Sequence, residues 1–259
     1  MIYQVSQQTA ADIQASCIVV TLDQSGKLSD AASQLDEASQ GFISQRYEQG
    51  DISGKLAETL LLPAVAGVSA GRVLLVGTGK ATLKPASAQK VLAAIATLTS
   101  KIRGDIALAL TEMATDVLTE SWLAEQTAIA YASAQYRFTA TKSTADDDTK
   151  TPDSVIWLGS DVDAAFTKGA AIGAGISFAK ELANMPPNIC TPTWLAENAV
   201  TLTQDQALET TILDEDQLAE MGAGAFVSVS KGSSEPGKII VMQYRGADDP
   251  SAAPHMILG

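Results

Sequence analysis

Two adjacent prolines, Pro186 and Pro187, interrupt a chain that has helical patterning on both sides, in the stretch KELANMPPNICTPTWLAENA over residues 180–199. Proline has no backbone N–H, and its ring clashes with the preceding turn, so a helix cannot continue through the pair. The residue before a proline is also pushed towards extended backbone. The sequence therefore predicts that the preceding helix ends near Asn184.

A second helix is predicted almost immediately after the prolines. Thr191 can cap its amino terminus through the hydroxyl group, and Pro192 suits the first helical position. Apolar residues then recur at helical spacing, at Trp194, Leu195, Ala199 and Leu202. The stretch therefore predicts a corner between two helices.

The helix before the corner is predicted to be long, from about residue 161 to 184. Its small and apolar residues form one stripe, at Ala165, Gly169, Ile172, Gly173, Ile176, Ala179 and Ala183. Small residues let another element approach closely, and we expect this helix to join two domains. The GAGISF segment at 173–178 lies inside this helical pattern, so its glycines are explained by packing and not by dinucleotide binding.

Strands and helices alternate along the rest of the chain. Short apolar runs bounded by turn residues predict strands at CIVVTL (17–22), ETLLLP (58–63), RVLLVG (72–77), IALAL (106–110) and VIWLG (155–159). Helical spacing of apolar residues predicts helices within 29–50, 85–103 and 119–135. This alternation favours an α/β layer architecture, with a mixed sheet flanked by helices up to about residue 160.

A second sheet is predicted to begin at about residue 209. Its expected strands are TTIL (210–213), AFVSVSKGS (225–233) and GKIIVMQYRG (237–246), and PHMILG (254–259) is expected to begin one more. Between the first two, Asp214 and Gln217 are predicted to cap a short helix that ends at Met221 and Gly222.

Charge and composition exclude several classes of protein. The net charge of −13 comes with only 17 basic residues, so attraction to nucleic acid or to an anionic membrane is not expected. Hydrophobic residues make up 46% of the chain, as in a folded globular protein. No apolar run approaches the ~18 residues of a membrane span, and the start shows no secretory signal. We therefore expect a cytoplasmic protein.

The two cysteines, Cys17 and Cys190, are far apart and belong to no CxxC pair. They are predicted to be buried free thiols in a reducing compartment, not a disulfide framework or a zinc site.

The glycine-rich segment VGTGKAT at 76–82 does not have the spacing of a phosphate loop. No glycine lies five positions before Gly79, Ala81 replaces the required Ser or Thr, and Thr82 stands where GxGxxG needs glycine. A tight turn between strand and helix is predicted instead.

Candidate catalytic and metal-binding groups all have structural explanations. His255 is the one histidine, lies in an apolar strand start, and has no GxSxG nucleophile motif to accompany it. Asp146, Asp147 and Asp148 are expected in a solvated loop over 141–153, while the carboxylates at 214–216 and 248–249 suit a helix start and a turn. No catalytic or metal-binding residue is assigned, and the substrate-binding residues stay unknown.

Three segments resemble the leucyl (cytosol) aminopeptidases, the two-metal peptidases. ELANMPPNICTP (181–192) is similar to the family's linker between domains, and the similarity continues through LAEMGAGAFVSVSKGSSEPGKIIVMQYRG (218–246). LAETLLLPAVAGVSAGRVLLVGTGK (56–80) is similar to the amino-terminal domain. The resemblance spans nearly the whole chain and is most specific over 181–246.

The resemblance implies both a fold and a reaction. Residues 1–160 would form a macrodomain-like accessory α/β domain, 161–185 a linker helix, and 186–259 the beginning of a catalytic domain. The implied reaction is hydrolysis of the amino-terminal residue, with a preference for leucine, from peptide substrates. It would use two divalent metal ions, Mn²⁺ or Zn²⁺, that lower the pKa of a bridging water. The implied assembly is a homohexamer.

In the family the metal ligands follow a strand similar to HMILG, and no residue up to Gly259 matches them. We therefore expect the front half of an aminopeptidase, truncated before the metal site, that binds no metal and is inactive by itself. Two alternatives stay open: a macrodomain-like module for nucleotide binding or assembly without peptidase activity, and a DNA-binding role, which the negative charge disfavours.

Overall fold

A computed structural model of the chain describes residues 1–80, 82–143, 151–203, 208–249 and 251–259. The predicted acidic run at Asp146–Asp148 lies outside the described residues, as does Ala81 of the glycine-rich segment. The residues form two compact units, Met1–Lys180 and Glu181–Gly259.

The first unit contains a six-stranded sheet and most of the helices. Its strands are β1 (Ile2–Ser6), β2 (Cys17–Leu22), β3 (Thr59–Pro63), β4 (Arg72–Gly77), β5 (Gly104–Leu108) and β6 (Pro152–Leu158). Its helices are α1 (Asp30–Ala38), α2 (Phe42–Glu48), α3 (Pro85–Thr99), α4 (Glu120–Gln135) and α5 (Asp163–Asn184), the last of which continues into the second unit, and a 3₁₀ turn covers Thr111–Met113.

The strand order is β1-β6-β5-β2-β4-β3. All neighbours are parallel except β3, which pairs with β4 antiparallel. The central strands are buried on both faces, and their uninterrupted apolar sequences are typical of parallel sheets covered by helices. A mixed sheet flanked by helices is therefore confirmed.

Two hydrophobic cores lie on opposite faces of this sheet. On one face, inward residues of the strands pack with α3, α4 and the start of α5, including Leu92, Leu123 and Phe166. On the other face, Ile18 and Leu75 pack with Leu35 of α1 and Ile43 of α2. The alternation of side chains along each strand assigns them to the two cores.

β1 is a strand that the sequence patterns above do not predict. Tyr3 and Val5 pack against the core while Ile2 is 59% exposed, as expected for an edge strand. The ring of Tyr3 stacks on Phe166 of α5 at 4.7 Å between centroids. Pairing with β6 and contact with α5 make this short segment a strand.

The helical stretch predicted between 29 and 50 is two helices with a sharp break. Gln40 and Gly41 have φ angles of 57° and 84°, which end α1 and redirect the chain. The Asp36 carboxylate accepts hydrogen bonds from the backbone N–H groups of Ile43 and Ser44 at 2.9 and 2.8 Å, so it caps α2 from the helix before it.

α5 is one continuous helix, as predicted, but its buried stripe is narrower than the predicted one. Phe166, Gly169 and Gly173 are buried, whereas Ile172 and Ile176 are 37% and 36% exposed. At Gly169 and Gly173, residues of α4 approach so closely that an added Cβ atom would lie 2.3 Å from the Glu125 carbonyl oxygen and 2.5 Å from the Ala132 Cβ atom, respectively. The prediction that small residues permit a close approach is therefore confirmed.

The second unit contains α6 (Pro192–Leu202), β7 (Leu208–Leu213), α7 (Glu215–Glu220), α8 (Gly224–Ser230) and β8 (Ile239–Tyr244). β7 and β8 pair antiparallel, with Leu213 opposite Ile239. The predicted short helix after Asp214 is confirmed. Of the predicted apolar face of α6, Ala199 is buried but Leu202 is 38% exposed.

The strand predicted at 225–233 is wrong, because this segment is the helix α8. Gly222, with a φ angle of 79°, ends α7 and turns the chain back. Val227 is 7% exposed while Val229 is 79% exposed, so only one of the two alternating valines is buried. Packing beside α7 therefore prevails over the strand preference of these valines.

The strand predicted at 254–259 is also wrong. Met256, Ile257 and Leu258 are 80%, 94% and 87% exposed and belong to no strand. A strand requires a hydrogen-bonded neighbour, and the described residues offer this segment none. His255 is exposed as well, so it is not the structural strand residue that was expected.

Candidate functional site

The corner between α5 and α6 has the geometry that its two prolines predict. α5 ends at Asn184, directly before Met185. The carbonyl oxygen of Pro186 then accepts hydrogen bonds from the backbone N–H groups of Ile189 and Cys190, both at 2.9 Å. The chain thus makes a compact turn in which the carbonyl of a proline serves as acceptor, although its nitrogen cannot donate.

The restart of the helix after this turn depends on Thr191. Its Oγ1 atom accepts a hydrogen bond from the backbone N–H of Trp194 at 3.2 Å, and Pro192 occupies the first helical position. This arrangement satisfies one of the N–H groups that a helix start leaves without an internal partner. The predicted N-cap is therefore confirmed.

A groove of about 350 Å³ lies in the second unit, along α6 and the β7–β8 pair. It is lined by Thr193, Ala196, Glu197, Val200, Ile212 and Lys238. Its surface is mostly apolar, with one carboxylate and one ammonium group among the lining residues.

Three acidic residues of the second unit, Asp214, Glu215 and Asp249, accept hydrogen bonds from backbone N–H groups. Asp214 and Gln217 form a capping box at the start of α7, each side chain bonding the other residue's backbone N–H at 3.0 Å. Glu215 accepts a hydrogen bond from the Gly237 N–H at 2.8 Å, and this bond is the main cause that lowers its pKa. Hydrogen bonds from Ser251 likewise lower the pKa of Asp249. These carboxylates therefore act in caps and turns, as predicted.

The described residues do not assemble a metal centre: across them, no three His, Cys, Asp or Glu side chains form a group that could hold an ion. The two cysteines are free thiols. Cys17 is fully buried, whereas Cys190 is only half-buried, so the prediction of two buried thiols is right for one of them.

The glycine-rich turn after β4 is packed against backbone and is not an open phosphate cradle. A Cβ atom on Gly77 would lie 2.0 Å from the Lys55 carbonyl oxygen. Gly79 has a φ angle of 85°, and its N–H donates to the Gly54 carbonyl oxygen at 2.9 Å. The prediction of a tight turn is therefore confirmed.

The carboxyl ends of the parallel strands meet at one edge of the sheet, which we call the carboxyl edge; its loops begin at Gln7, Asp23, Thr78, Ala109 and Gly159. Open α/β sheets place their ligands at this edge. Here hydrogen bonds between neighbouring loops occupy it. Gln7 Nε2 donates to the Gly159 carbonyl oxygen at 2.5 Å, and Thr78 Oγ1 donates to the Leu22 carbonyl oxygen at 3.2 Å.

Glu120, the first residue of α4, accepts several hydrogen bonds at the carboxyl edge. Its Oε2 atom accepts from Ser160 Oγ at 2.7 Å, from the Ser160 N–H at 3.1 Å and from Trp157 Nε1 at 3.3 Å. Burial opposes the charged form, but the bonds from Ser160 and Trp157 outweigh it and hold the Glu120 pKa below its usual value. The charged carboxylate therefore ties α4 to the loop after β6.

Glu112 makes a similar connection between β5 and the neighbouring strand β2. It joins the loop after β5 to the start of α1, the helix that follows β2. Its Oε1 atom accepts hydrogen bonds from the backbone N–H groups of Asp30 and Ala31, at 2.5 and 3.3 Å. No local sequence pattern marks Glu112 or Glu120 as a functional residue, because their hydrogen-bond partners are distant along the chain. The one local signal is that Glu112 follows the buried strand β5 by a few residues.

Comparison with known proteins gives two family matches in chain order. Residues 19–145 match the model of the cytosol aminopeptidase family N-terminal domain, and residues 177–259 match the model of the catalytic domain of the same family. The structure describes no helix that is both long enough and apolar enough to cross a membrane.

Curated relatives from bacteria match along almost the whole chain. A probable cytosol aminopeptidase of Chromohalobacter salexigens is 37% identical over 258 residues, which is 96% of this chain and 51% of the relative. Another, from Methylobacillus flagellatus, is 38% identical over 253 residues, with 95% and 51% covered. The chain thus spans about half the length of the curated relatives that it matches.

Solved structures share the fold. A tomato leucine aminopeptidase variant superposes with a TM-score of 0.77 at 24% identity, over 93% of this chain and 50% of that one. The bottromycin maturation enzyme BotP in complex with Mn superposes with a TM-score of 0.68 at 18% identity, over 89% of this chain and 45% of that one.

Proposed function

Because the chain belongs to the cytosol aminopeptidase family, we propose that it works in a metal-dependent aminopeptidase, which removes the amino-terminal residue from peptides. The observation that supports this most is the order of the two family matches. The N-terminal domain match ends at residue 145 and the catalytic domain match begins at 177, inside α5. A single isolated match would support only one half of this architecture.

The proposed domain assignment follows the boundaries predicted from the sequence. Residues 1–160 form an accessory domain, 161–185 the linker helix and 186–259 the beginning of the catalytic domain. The continuous helix Asp163–Asn184 and the proline corner after it support this assignment. In this proposal the corner directs the chain from the linker into the domain that carries out the reaction.

Two divalent metal ions, Mn²⁺ or Zn²⁺, are proposed for the enzyme. Bound in such a centre, they would lower the pKa of a coordinated water and polarise the carbonyl group that is cleaved. The described residues do not fit this centre, since they bring together no suitable group of ligands. We therefore assign no catalytic step to them and propose that the ligands lie elsewhere in the enzyme and that this chain alone is inactive.

Finer properties follow from the resemblance and from the names of similar proteins. We propose a preference for amino-terminal leucine, a homohexameric assembly and a cytoplasmic location, with peptides as substrates. One structural neighbour is a leucine aminopeptidase and the curated relatives are named as cytosol enzymes. The net charge of −13 favours neither nucleic acid nor an anionic membrane as partner.

The test is hydrolysis of leucine-para-nitroanilide by the gene product purified from its own source. We expect activity that a chelator abolishes and that Mn²⁺ or Zn²⁺ restores. A homogeneous native product without metal-dependent hydrolysis of this or other aminoacyl-nitroanilides would contradict the proposal.

The same assay on the 259-residue chain, with calorimetric titration of both metals, tests where the ligands lie. We expect neither turnover nor binding of two ions per chain. Turnover with stoichiometric metal would place the ligands within these residues. The alternative of a nucleotide-binding or assembly module predicts instead that the native product hydrolyses no peptide and binds ADP-ribose.

A further inference from the structure

The crevice between β2 and β5 is the place where an open sheet of this kind would hold a ligand. The two strands are adjacent and parallel. The helix after β2 is α1, whose Leu35 packs on one face of the sheet, and the helix after β5 is α4, whose Leu123 packs on the opposite face. Adjacent strands whose helices leave to opposite faces create a crevice at their carboxyl ends.

The amino terminus of α1 opens into this crevice. The first N–H groups of a helix have no partner inside it, and the helix dipole places partial positive charge there. Such a terminus readily binds phosphate or another anion. In an anion-binding domain, these N–H groups would be available to the ligand.

In this chain, the first N–H groups of α1 already donate hydrogen bonds to other residues of the same chain. Glu112, from the loop after β5, accepts from the Asp30 and Ala31 N–H groups, and Ser29 Oγ accepts from the Ala32 N–H at 3.1 Å. The Ser33 N–H begins the regular helical pattern by donating to the Ser29 carbonyl oxygen at 2.8 Å. The Glu112 carboxylate thus adds to the negative charge of Asp30 in the first turn of α1, which suits the helix start.

The neighbouring crevices of the carboxyl edge are occupied in the same way. Glu120 connects the loops after β5 and β6, Gln7 connects those after β1 and β6, and Thr78 connects the loop after β4 to the end of β2. Each adjacent pair of parallel strands therefore has its own connection within the chain. Binding an external anion at the start of α1 would first require breaking the charge-assisted hydrogen bonds of Glu112.

We propose that the Glu112 carboxylate occupies the crevice between β2 and β5 in the place of an external ligand. The first unit is then a closed scaffold, by which we mean a domain whose carboxyl edge is filled by its own side chains, and not a nucleotide-binding module. This inference does not depend on peptidase activity, because it concerns the carboxyl edge of the first unit alone. It assigns Glu112 a specific role, which is to lock the loop after β5 onto the start of α1.

Hydrogen exchange of the whole chain tests the lock. In Glu112→Ala we expect the N–H groups of Asp30 and Ala31 to exchange faster by about tenfold, since each loses its acceptor. Exchange around Leu35 should be unchanged, which would show that α1 is still folded. Unchanged exchange at Asp30 and Ala31 would overturn the proposal.

Asp36→Ala is the matched control, because Asp36 also caps a helix from a distance. It should accelerate exchange at Ile43 and Ser44 and leave Asp30 and Ala31 protected. Glu112→Gln keeps an acceptor oxygen without the charge, so its exchange should lie between wild type and Glu112→Ala. Equal effects of Asp36→Ala and Glu112→Ala on Asp30 would indicate a general loosening and would contradict the lock.

Calorimetry with ADP-ribose and with inorganic phosphate tests whether the edge is closed. We expect no saturable binding of either probe to the wild-type chain at millimolar concentration. Saturable binding to wild type would overturn the closed scaffold, whatever the outcome of the peptidase assay. Since the two measurements use different readouts, failure of one proposal is distinguishable from failure of the other.

Discussion

Gly173 of α5 lies so close to Ala132 of α4 that a Cβ atom added to the glycine would be 2.5 Å from the Ala132 Cβ atom. Such a distance is shorter than any ordinary contact between two carbon atoms. The close packing of the two helices therefore depends on the absence of a side chain at this position.

Gly173→Ala should lower the free energy of unfolding. Overpacking costs about 1–3 kcal/mol, and the higher helix propensity of alanine offsets roughly 1 kcal/mol of this cost. Urea unfolding followed by circular dichroism measures the difference. Gly175→Ala is the matched control, because a Cβ atom there meets nothing within 4 Å. It should stabilise by about 0.5–1 kcal/mol. Two substitutions with the same sign would contradict the packing described here.

Proline at Ile172 should break α5 in its interior. It removes one backbone hydrogen bond and clashes with the preceding turn, at a cost of about 3 kcal/mol or more. Ile172 is 37% exposed, so little core packing is lost with it. Pro186→Ala, beyond the end of the helix, should change stability little. Thermal unfolding of both variants is the measurement, and equal melting temperatures would contradict a continuous helix.

Thr191→Ala should cost about 1 kcal/mol, because it removes the hydroxyl that caps α6. Thr201→Ala, in the same helix, is the control. The Thr201 hydroxyl donates to the Glu197 carbonyl oxygen within the helix and caps no helix end, so alanine there should be neutral or slightly stabilising. Urea midpoints of the two variants should differ in this direction. A Thr191→Ala variant as stable as Thr201→Ala would argue against the cap.

Glu120 should contribute stability that depends on pH. Its pKa in the folded chain is lowered, so the contribution is present above the unfolded value of about 4.3 and is lost as the pH falls through the folded value. Glu120→Gln should therefore be less stable than wild type at pH ~7, and the difference should shrink below pH ~4.

Urea unfolding at both pH values, observed through tryptophan fluorescence, measures this difference. Glu48→Gln, which removes one carboxylate at an exposed position in α2, is the matched control. A gap between wild type and Glu120→Gln that stays constant with pH would show that the carboxylate charge is not responsible.

The two thiols should differ in reactivity. Burial raises the pKa of the Cys17 thiol to about 12, and its side chain is fully buried, so at pH ~8 it stays protonated and shielded. Only Cys190 should react with a disulfide reagent in the folded chain, and both should react after denaturation. In Cys190→Ser no thiol of the folded chain should react. Rapid labelling of that variant would mean that Cys17 is accessible.

Features that depend on neighbours in sequence were predictable from the residues alone. The end of α5 at Asn184, the Thr191 cap and the capping box at Asp214 each involve residues within a few positions of one another. Proline geometry and side-chain caps act locally and hold in almost any tertiary context. The buried strands β2 and β4 were predictable because their continuous apolar runs need two covered faces.

Other features were decided only by the tertiary structure. The valines at 227 and 229 suit a strand, yet α8 forms because packing beside α7 needs one buried face. β1 becomes a strand through β6 and Phe166, which lie about 150 residues further along the chain. Glu112 accepts a hydrogen bond from the Asp30 N–H at the start of α1, 82 residues earlier in the chain. Local pattern sets backbone preference, but the partner of a side chain depends on which loops the fold brings to the same edge of a sheet.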